Sequence, residues 1–202
     1  LLHAAHGSFA DLDLPVVARR SEEERHVLGR MIDQGVNSPL TSSMGRLFDG
    51  ISALIGVREL ARYDAQAAIE LEQLLEPGVE AGRPLEWELH AAESPMRIDP
   101  RPLVRELTGE LERGGASAKE LSLRFHGTVL DMVRRTCLLV RERTGVEDVV
   151  LSGGVFQNEF LLRGAHEKLR EAGFKTYVHR KVPTNDGGVA LGQAAIAGWG
   201  AR

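Results

Sequence analysis

Val149-Val150-Leu151-Ser152-Gly153-Gly154-Val155-Phe156-Gln157-Asn158 is the stretch on which the fold turns. Three apolar residues in a row, the run expected of a buried parallel strand, lead straight into two glycines. A helix is predicted next, from Asn158 to Glu171, with Gly173 as its stop. Phe174 to Val178 reads as a second strand, Pro183 to Gly188 as a loop, and Val189 to Ala197 as a closing helix of small residues. Strand, helix, strand, helix is an α/β signature. Ligands favour the carboxyl edge of such sheets, so the loops after both strands are candidate sites.

Upstream, the pattern is mostly helical. Residues 1–20 read as irregular, with Gly7, alternating Asp and Leu, and Pro15. Ser21 then precedes Glu22, Glu23 and Glu24, a serine cap followed by acids where the helix dipole favours them. Val27, Leu28, Met31 and Ile32 recur at helical spacing up to Gly35. Thr41, Ser42 and Ser43 offer caps for a helix carrying Met44, Leu47, Phe48, Ile51, Leu54 and Ile55 on one side. Another helix covers Asp64 to Leu75. Residues 85–90 alternate apolar and polar as a half-buried strand does, with Met96 and Ile98 as its partner strand. Pro100 and Pro102 open a helix through Arg113. Ser117 caps the longest helix, which runs to Thr144 with Leu121, Phe125, Val129, Met132, Val133, Leu138 and Val140 as its apolar face.

The composition of the 202 residues, 43% hydrophobic and 27% charged, is that of a soluble globular chain and excludes low-complexity disorder. A net charge of -4 argues against non-specific nucleic-acid binding, which needs a basic stripe. The single cysteine, Cys137, excludes an intramolecular disulfide and a multi-thiolate zinc site, and fits a reducing compartment. No run of about 18 apolar residues is present, so no membrane span is expected. The N-terminus has no signal-peptide pattern. It begins at Leu1 rather than Met, which suggests a fragment, a processed chain or a missing start.

Three segments could carry chemistry. Gly153 and Gly154 let backbone approach a ligand closely, and Asn158 can cap the following helix or hydrogen-bond a ligand; a plain strand-to-helix turn accounts for them equally well. In Pro183-Thr184-Asn185-Asp186-Gly187-Gly188, Asp186 can cap the last helix, ligate a metal or face a phosphate-bound cation. Arg46 and Asp49, at i and i+3, can pair on a helix surface or project into a cleft. His3 and His6 have a spacing that chelates metal on a helix, but their setting reads as an irregular surface start. His126 reads as a satisfied, partly buried histidine. No local nucleophile signature indicates hydrolase chemistry.

Together, Thr41-Ser42-Ser43-Met44-Gly45-Arg46-Leu47-Phe48-Asp49, Ser152-Gly153-Gly154-Val155-Phe156-Gln157-Asn158 and Asn185-Asp186-Gly187-Gly188-Val189-Ala190-Leu191-Gly192-Gln193 resemble the C-terminal part of the HypF carbamoyltransferases, in order and correctly separated. The resemblance runs from about Val27 to Ala197. It implies an α/β fold, the second lobe of an actin-like ATPase (ASKHA, RNase H-like) domain with a helical insertion, shared with the tRNA threonylcarbamoyladenosine synthases. Residues 1–40 would be an irregular start plus a connecting helix towards a missing first lobe, and residues 41–202 the second lobe with its nucleotide motifs. The implied enzyme is a cytoplasmic carbamoyltransferase. It uses carbamoyl phosphate and ATP, by way of carbamoyl-adenylate, to carbamoylate the C-terminal cysteine of a HypE-type acceptor in nickel-iron hydrogenase maturation. The alternatives are an O-carbamoyltransferase acting on a small molecule, or a truncated, non-catalytic partner-binding module.

The resemblance also implies roles. Asp186 matches a ligand of a divalent metal (Mg, Fe or Zn), Gly153, Gly154 and Asn158 match the segment that holds the adenylate, and Asp49 matches a ribose contact. Two departures stand out. The family's Tyr-Glu-Gly-Gln is Tyr63-Asp64-Ala65-Gln66 here, and the family's metal-binding histidine pair belongs to the absent first lobe; His3 and His6 do not match it. The isolated chain is therefore expected not to transfer carbamoyl groups unaided, and to expose an apolar patch where the first lobe would dock.

Overall fold

The computed structural model describes residues 1–200. Among them the order of helices and short strands is α/β, and the chain divides into two compact units, one of Leu1–Thr128 and one that begins at Val129. The division falls inside the longest helix.

Unit 1 contains α1 (Leu2–His6), α2 (Pro15–Ala18), α3 (Glu22–Asp33), α4 (Met44–Leu54), α5 (Gln66–Gln73), β1 (Glu88–His90), β2 (Arg97–Asp99), α6 (Arg101–Arg113) and the start of α7 (Ala118–Thr144). The two strands pair antiparallel, with Leu89 opposite Ile98. The expected irregular start is instead two short helices. Long-range contacts order them: Arg105 donates to the Ala5 carbonyl at 3.1 Å, and Thr108 Oγ1 lies 3.1 Å from His6 Nε2. Partners a hundred residues away leave no local sequence signal. Ser21 and Glu24 close a capping box on α3 through bonds of 3.1 and 2.8 Å. The apolar stripe of α3, by contrast, is not core: Val27, Leu28 and Ile32 are exposed and α3 buries no residue.

The core of unit 1 is built from Phe48 and Ile51 of α4, Leu71 of α5, Leu85, Leu103 and Leu107 of α6, and Leu121 and Phe125 of α7, all buried. Phe48 and Phe125 meet edge to face at 4.8 Å. Polar bonds fix α7 against its neighbours: Ser122 Oγ donates to the Leu71 carbonyl at 2.7 Å, the Leu85 amide donates to Thr128 Oγ1 at 2.8 Å, and Arg124 bridges Glu106 and Glu110 of α6. Gly127 has a packing reason, since a Cβ there would stand 2.6 Å from the Gly82 carbonyl oxygen.

Unit 2 holds the rest of α7, β3 (Asp148–Leu151), α8 (Glu159–Glu171), β4 (Lys175–Val178) and α9 (Val189–Gly200), with 3-10 turns at Gly154–Gln157 and Asp186–Gly188. β3 and β4 pair in parallel from Asp148 opposite Lys175 to Leu151 opposite Val178. Leu130, Met132, Leu151, Leu161, Ala165, Leu169 and Phe174 form the core, and the Arg141 guanidinium lies 4.2 Å over the Phe174 ring. β3 is not the fully buried strand its apolar run suggests, because Val150 is 65% exposed. With one partner strand, one face of the pair meets α8 and the other meets solvent. α9 buries no residue. No helix among the described residues is long and apolar enough to cross a membrane.

Candidate functional site

In unit 2 the two loops at the carboxyl ends of β3 and β4 are joined. The parallel register puts Leu151 beside Val178, so Ser152 and His179 are the first residues past each strand. Ser152 Oγ and His179 Nε2 lie 2.8 Å apart. The Gly153 amide donates to the Thr184 carbonyl at 2.9 Å, and Thr184 Oγ1 donates to the Gly153 carbonyl at 3.2 Å. The two motifs found separately in the sequence thus form one polar edge, as their placement on one sheet predicts.

The two glycines of the first loop differ in their reasons. Gly153 has φ +98°, a conformation that disfavours any side chain. Gly154 has no positive φ, and a Cβ there would meet nothing within 4 Å. Nothing in the fold of this chain demands glycine at position 154. Open space over bare backbone is what close approach of a ligand requires. Asn158 caps α8, its Oδ1 accepting from the Leu161 amide at 2.9 Å. The capping alternative of the sequence reading is therefore realised at this residue.

At Asp186 the capping alternative is overturned. Asn185 is the cap, its Oδ1 accepting from the Gly187 amide at 3.1 Å. Among the described residues the Asp186 carboxylate has no hydrogen bond or ion pair, and the residue is exposed. Gly187 and Gly188 hold the loop close to itself: a Cβ at Gly187 would stand 2.9 Å from Pro183 Cγ, and one at Gly188 would stand 2.7 Å from the Pro183 carbonyl oxygen. An uncommitted carboxylate on a tightly packed loop fits one ligand of a divalent cation. A stable site needs several such ligands, and the remainder must come from other groups.

Asp49 belongs to unit 1. It sits on α4 and pairs with Arg46 at 2.8 Å, the surface pair expected of i,i+3 spacing. The departure at 63–66 also lies in unit 1. Ala65 occupies the left-handed region with φ +60°, a conformation that glycine adopts without strain. Gln66 is buried; its Oε1 accepts from the Arg62 amide at 2.7 Å, and its Nε2 donates to Glu70 Oε1 at 2.7 Å. Glu70 in turn takes a bidentate bond from Arg58 at 2.7 and 2.8 Å. This segment is a structural latch built around Gln66.

The histidines separate cleanly. His3 lies 3.1 Å from Asp33 and His6 contacts Thr108, so the two engage different partners and do not converge on one site. His126 is wholly buried, with Nδ1 2.8 Å from the Ser122 carbonyl. Burial pushes its pKa down to about 4, the carbonyl bond only partly opposing that.

Sequence reading missed the group Glu88, His90 and Asp99, whose ligand atoms lie within 4.8 Å of one another. The signal was the alternation at 85–90 facing Asp99 across a hairpin. Asp99 is already committed: its Oδ1 accepts from the Arg101 amide at 2.9 Å, and the Arg101 guanidinium grips both oxygens. Those bonds hold its carboxyl far below the usual carboxylate range. The group is a salt-bridge network with cations already in place. The Ser152–His179 pair was also missed, because it exists only through the strand register.

Residues 1–193 match the family model described as carbamoyltransferase, Kae1-like domain, second subdomain. A carbamoyltransferase HypF of Synechocystis is 36% identical over 165 residues, covering 81% of this chain and 20% of that protein. One from Rhizobium leguminosarum bv. viciae is 36% identical over 170 residues, covering 84% of this chain and 21% of that protein. A crystal structure of full-length HypF in the phosphate- and nucleotide-bound form matches with TM-score 0.84 and 41% identity, over 90% of this chain and 24% of that one. HypF of T. kodakarensis matches with TM-score 0.67 and 26% identity, over 86% of this chain and 22% of that one. The chain thus spans a fifth to a quarter of the length of these relatives.

Proposed function

The chain belongs to the HypF carbamoyltransferase family, and from that premise we propose that it is the C-terminal lobe of an enzyme that carbamoylates the C-terminal cysteine of a HypE-type acceptor. Carbamoyl phosphate and ATP are the substrates, and carbamoyl-adenylate is the species whose carbamoyl group the acceptor thiolate takes, with AMP as leaving group. The lobe's own contribution is to hold the adenylate. Gly153 and Gly154 offer bare backbone to the nucleotide. In this reading Asn158 contacts its base and ribose, and Asp49 keeps the ribose role that the resemblance implies. Asp186 supplies one oxygen ligand to a divalent metal, which when bound neutralises phosphoryl charge. The place of this work is the cytoplasm, where carbamoyl phosphate and ATP are available.

The observation that carries this reading is the division of labour at 185–186. Asn185 caps the turn, so Asp186 is left free on a loop hydrogen-bonded to the Gly153 turn. One carboxylate does not make a complete metal site. The chain alone is therefore expected to bind nucleotide weakly and to transfer no carbamoyl group to a HypE C-terminal peptide.

Calorimetry with Mg²⁺ and ATP tests the assignment on this chain and on Asn158→Ser, which keeps a capping oxygen but removes the amide. The expected result is binding by the parent chain that weakens in the variant while α8 keeps its stability. Equal binding by both, or none by the parent chain, would overturn the assignment of the adenylate site to these residues.

A further inference from the structure

Immediately after β4 the chain places His179, Arg180 and Lys181 in a row, all exposed. Several cations elsewhere in this chain, which carries a net charge of -4, are committed to ion pairs, among them Arg58, Arg97, Arg101 and Arg124. Arg180 and Lys181 have no ion pair or hydrogen bond among the described residues. His179 bonds Ser152 Oγ at 2.8 Å, and Ser152 adjoins the bare backbone of Gly153 and Gly154. The Ser152–His179 contact therefore stands at the sheet edge beside Gly153 and Gly154, where a Cβ would meet nothing within 4 Å, and two exposed, unpaired cations follow His179 directly in the chain.

We propose that Ser152, His179, Arg180 and Lys181 form an oxyanion-binding element that takes a phosphoryl group at this edge. The proposal rests on the nucleotide reading above and extends it to residues that reading does not use. With His179 Nε2 donating to Ser152 Oγ, the Ser152 hydroxyl proton is left to serve as a directional donor, and the two cations supply charge. The phosphoryl group belongs either to the nucleotide or to a separate phosphate-bearing substrate, and the experiment separates these sources.

The test compares adenosine, AMP and inorganic phosphate as ligands of the whole chain by calorimetry. The variants are His179→Ala, the double change Arg180→Ala with Lys181→Ala, and, as a control for general charge, Arg163→Ala on α8. Loss of charge-assisted hydrogen bonds should reduce AMP affinity about tenfold in the first two variants and leave adenosine affinity unchanged. Arg163→Ala should change neither. Phosphate that competes with AMP but not with adenosine assigns the element to the nucleotide's phosphoryl group. Phosphate that binds alongside AMP, and is lost in the same variants, assigns it to a second phosphate-bearing substrate. An unchanged AMP-to-adenosine ratio, with phosphate binding also unchanged, overturns the proposal while the nucleotide reading stands. If adenosine itself does not bind the parent chain, the nucleotide reading falls and this proposal falls with it.

Discussion

Gly153 and Thr184 hold each other by two hydrogen bonds, amide to carbonyl at 2.9 Å and hydroxyl to carbonyl at 3.2 Å. This double tie makes one site of two loops that lie thirty-one residues apart. Thr184→Val keeps shape and removes the hydroxyl bond. We expect a loss of about 1 kcal/mol at most, and faster hydrogen exchange at the Gly153 amide. Unchanged exchange would show that the backbone bond suffices.

Gly154→Ala and Gly188→Ala should behave oppositely. The Cβ at 154 meets open space, whereas the one at 188 would stand 2.7 Å from a backbone oxygen. Gly154→Ala should keep the melting temperature and weaken nucleotide binding. Gly188→Ala should destabilise unit 2 by about 1–3 kcal/mol through overpacking. Thermal melts paired with calorimetry read both.

Ala65→Gly should stabilise the protein by about 1 kcal/mol. The residue stands at φ +60°, where an L side chain is strained, and that relief outweighs the added flexibility of the unfolded chain. Denaturant unfolding measures it. A destabilised variant would mean that the Ala65 methyl has a packing role.

Stability should fall as pH falls from about 6.5 to about 4, because His126 stays neutral in the fold down to about 4 but protonates near 6.5 when unfolded. The unfolded state then binds the extra proton, and the native state loses up to about 3 kcal/mol across the window. Asp99 adds a second loss below its ordinary value of 3.8, since its carboxylate is held ionised chiefly by Arg101. His126→Gln should flatten the slope between pH 6.5 and 4 and leave the more acidic limb in place. Urea unfolding at stepped pH shows which limb each residue governs.

Local chemistry announced many of these elements. Ser21 with Glu24, the alternation at 85–90, Ser117 and the helix end at Thr144 each mark a boundary the structure keeps within a few residues. The strand, glycine and helix order around Gly153 placed the edge of the site. What local pattern does not report is the surface an apolar stripe meets. Val27 and Val150 have the spacing of core residues and lie in solvent. It also does not report partners distant in sequence, so α1, tied to α6, looked irregular, and the Ser152–His179 contact stayed hidden. At Asp186 the sequence offered a cap, and only coordinates show that Asn185, one residue earlier, caps the turn and leaves Asp186 free.

The last helix has a practical consequence for anyone handling the chain. Val189, Leu191, Ile196 and Trp199 of α9 are 52 to 81% exposed, so this segment is surface-active. Apolar side chains held in water stick to resins, plastic and one another. Light scattering should rise with concentration, and a mild detergent or Trp199→Gln should reverse it. Binding constants for this chain are best taken at the dilute end, where adhesion between copies does not compete with the ligand.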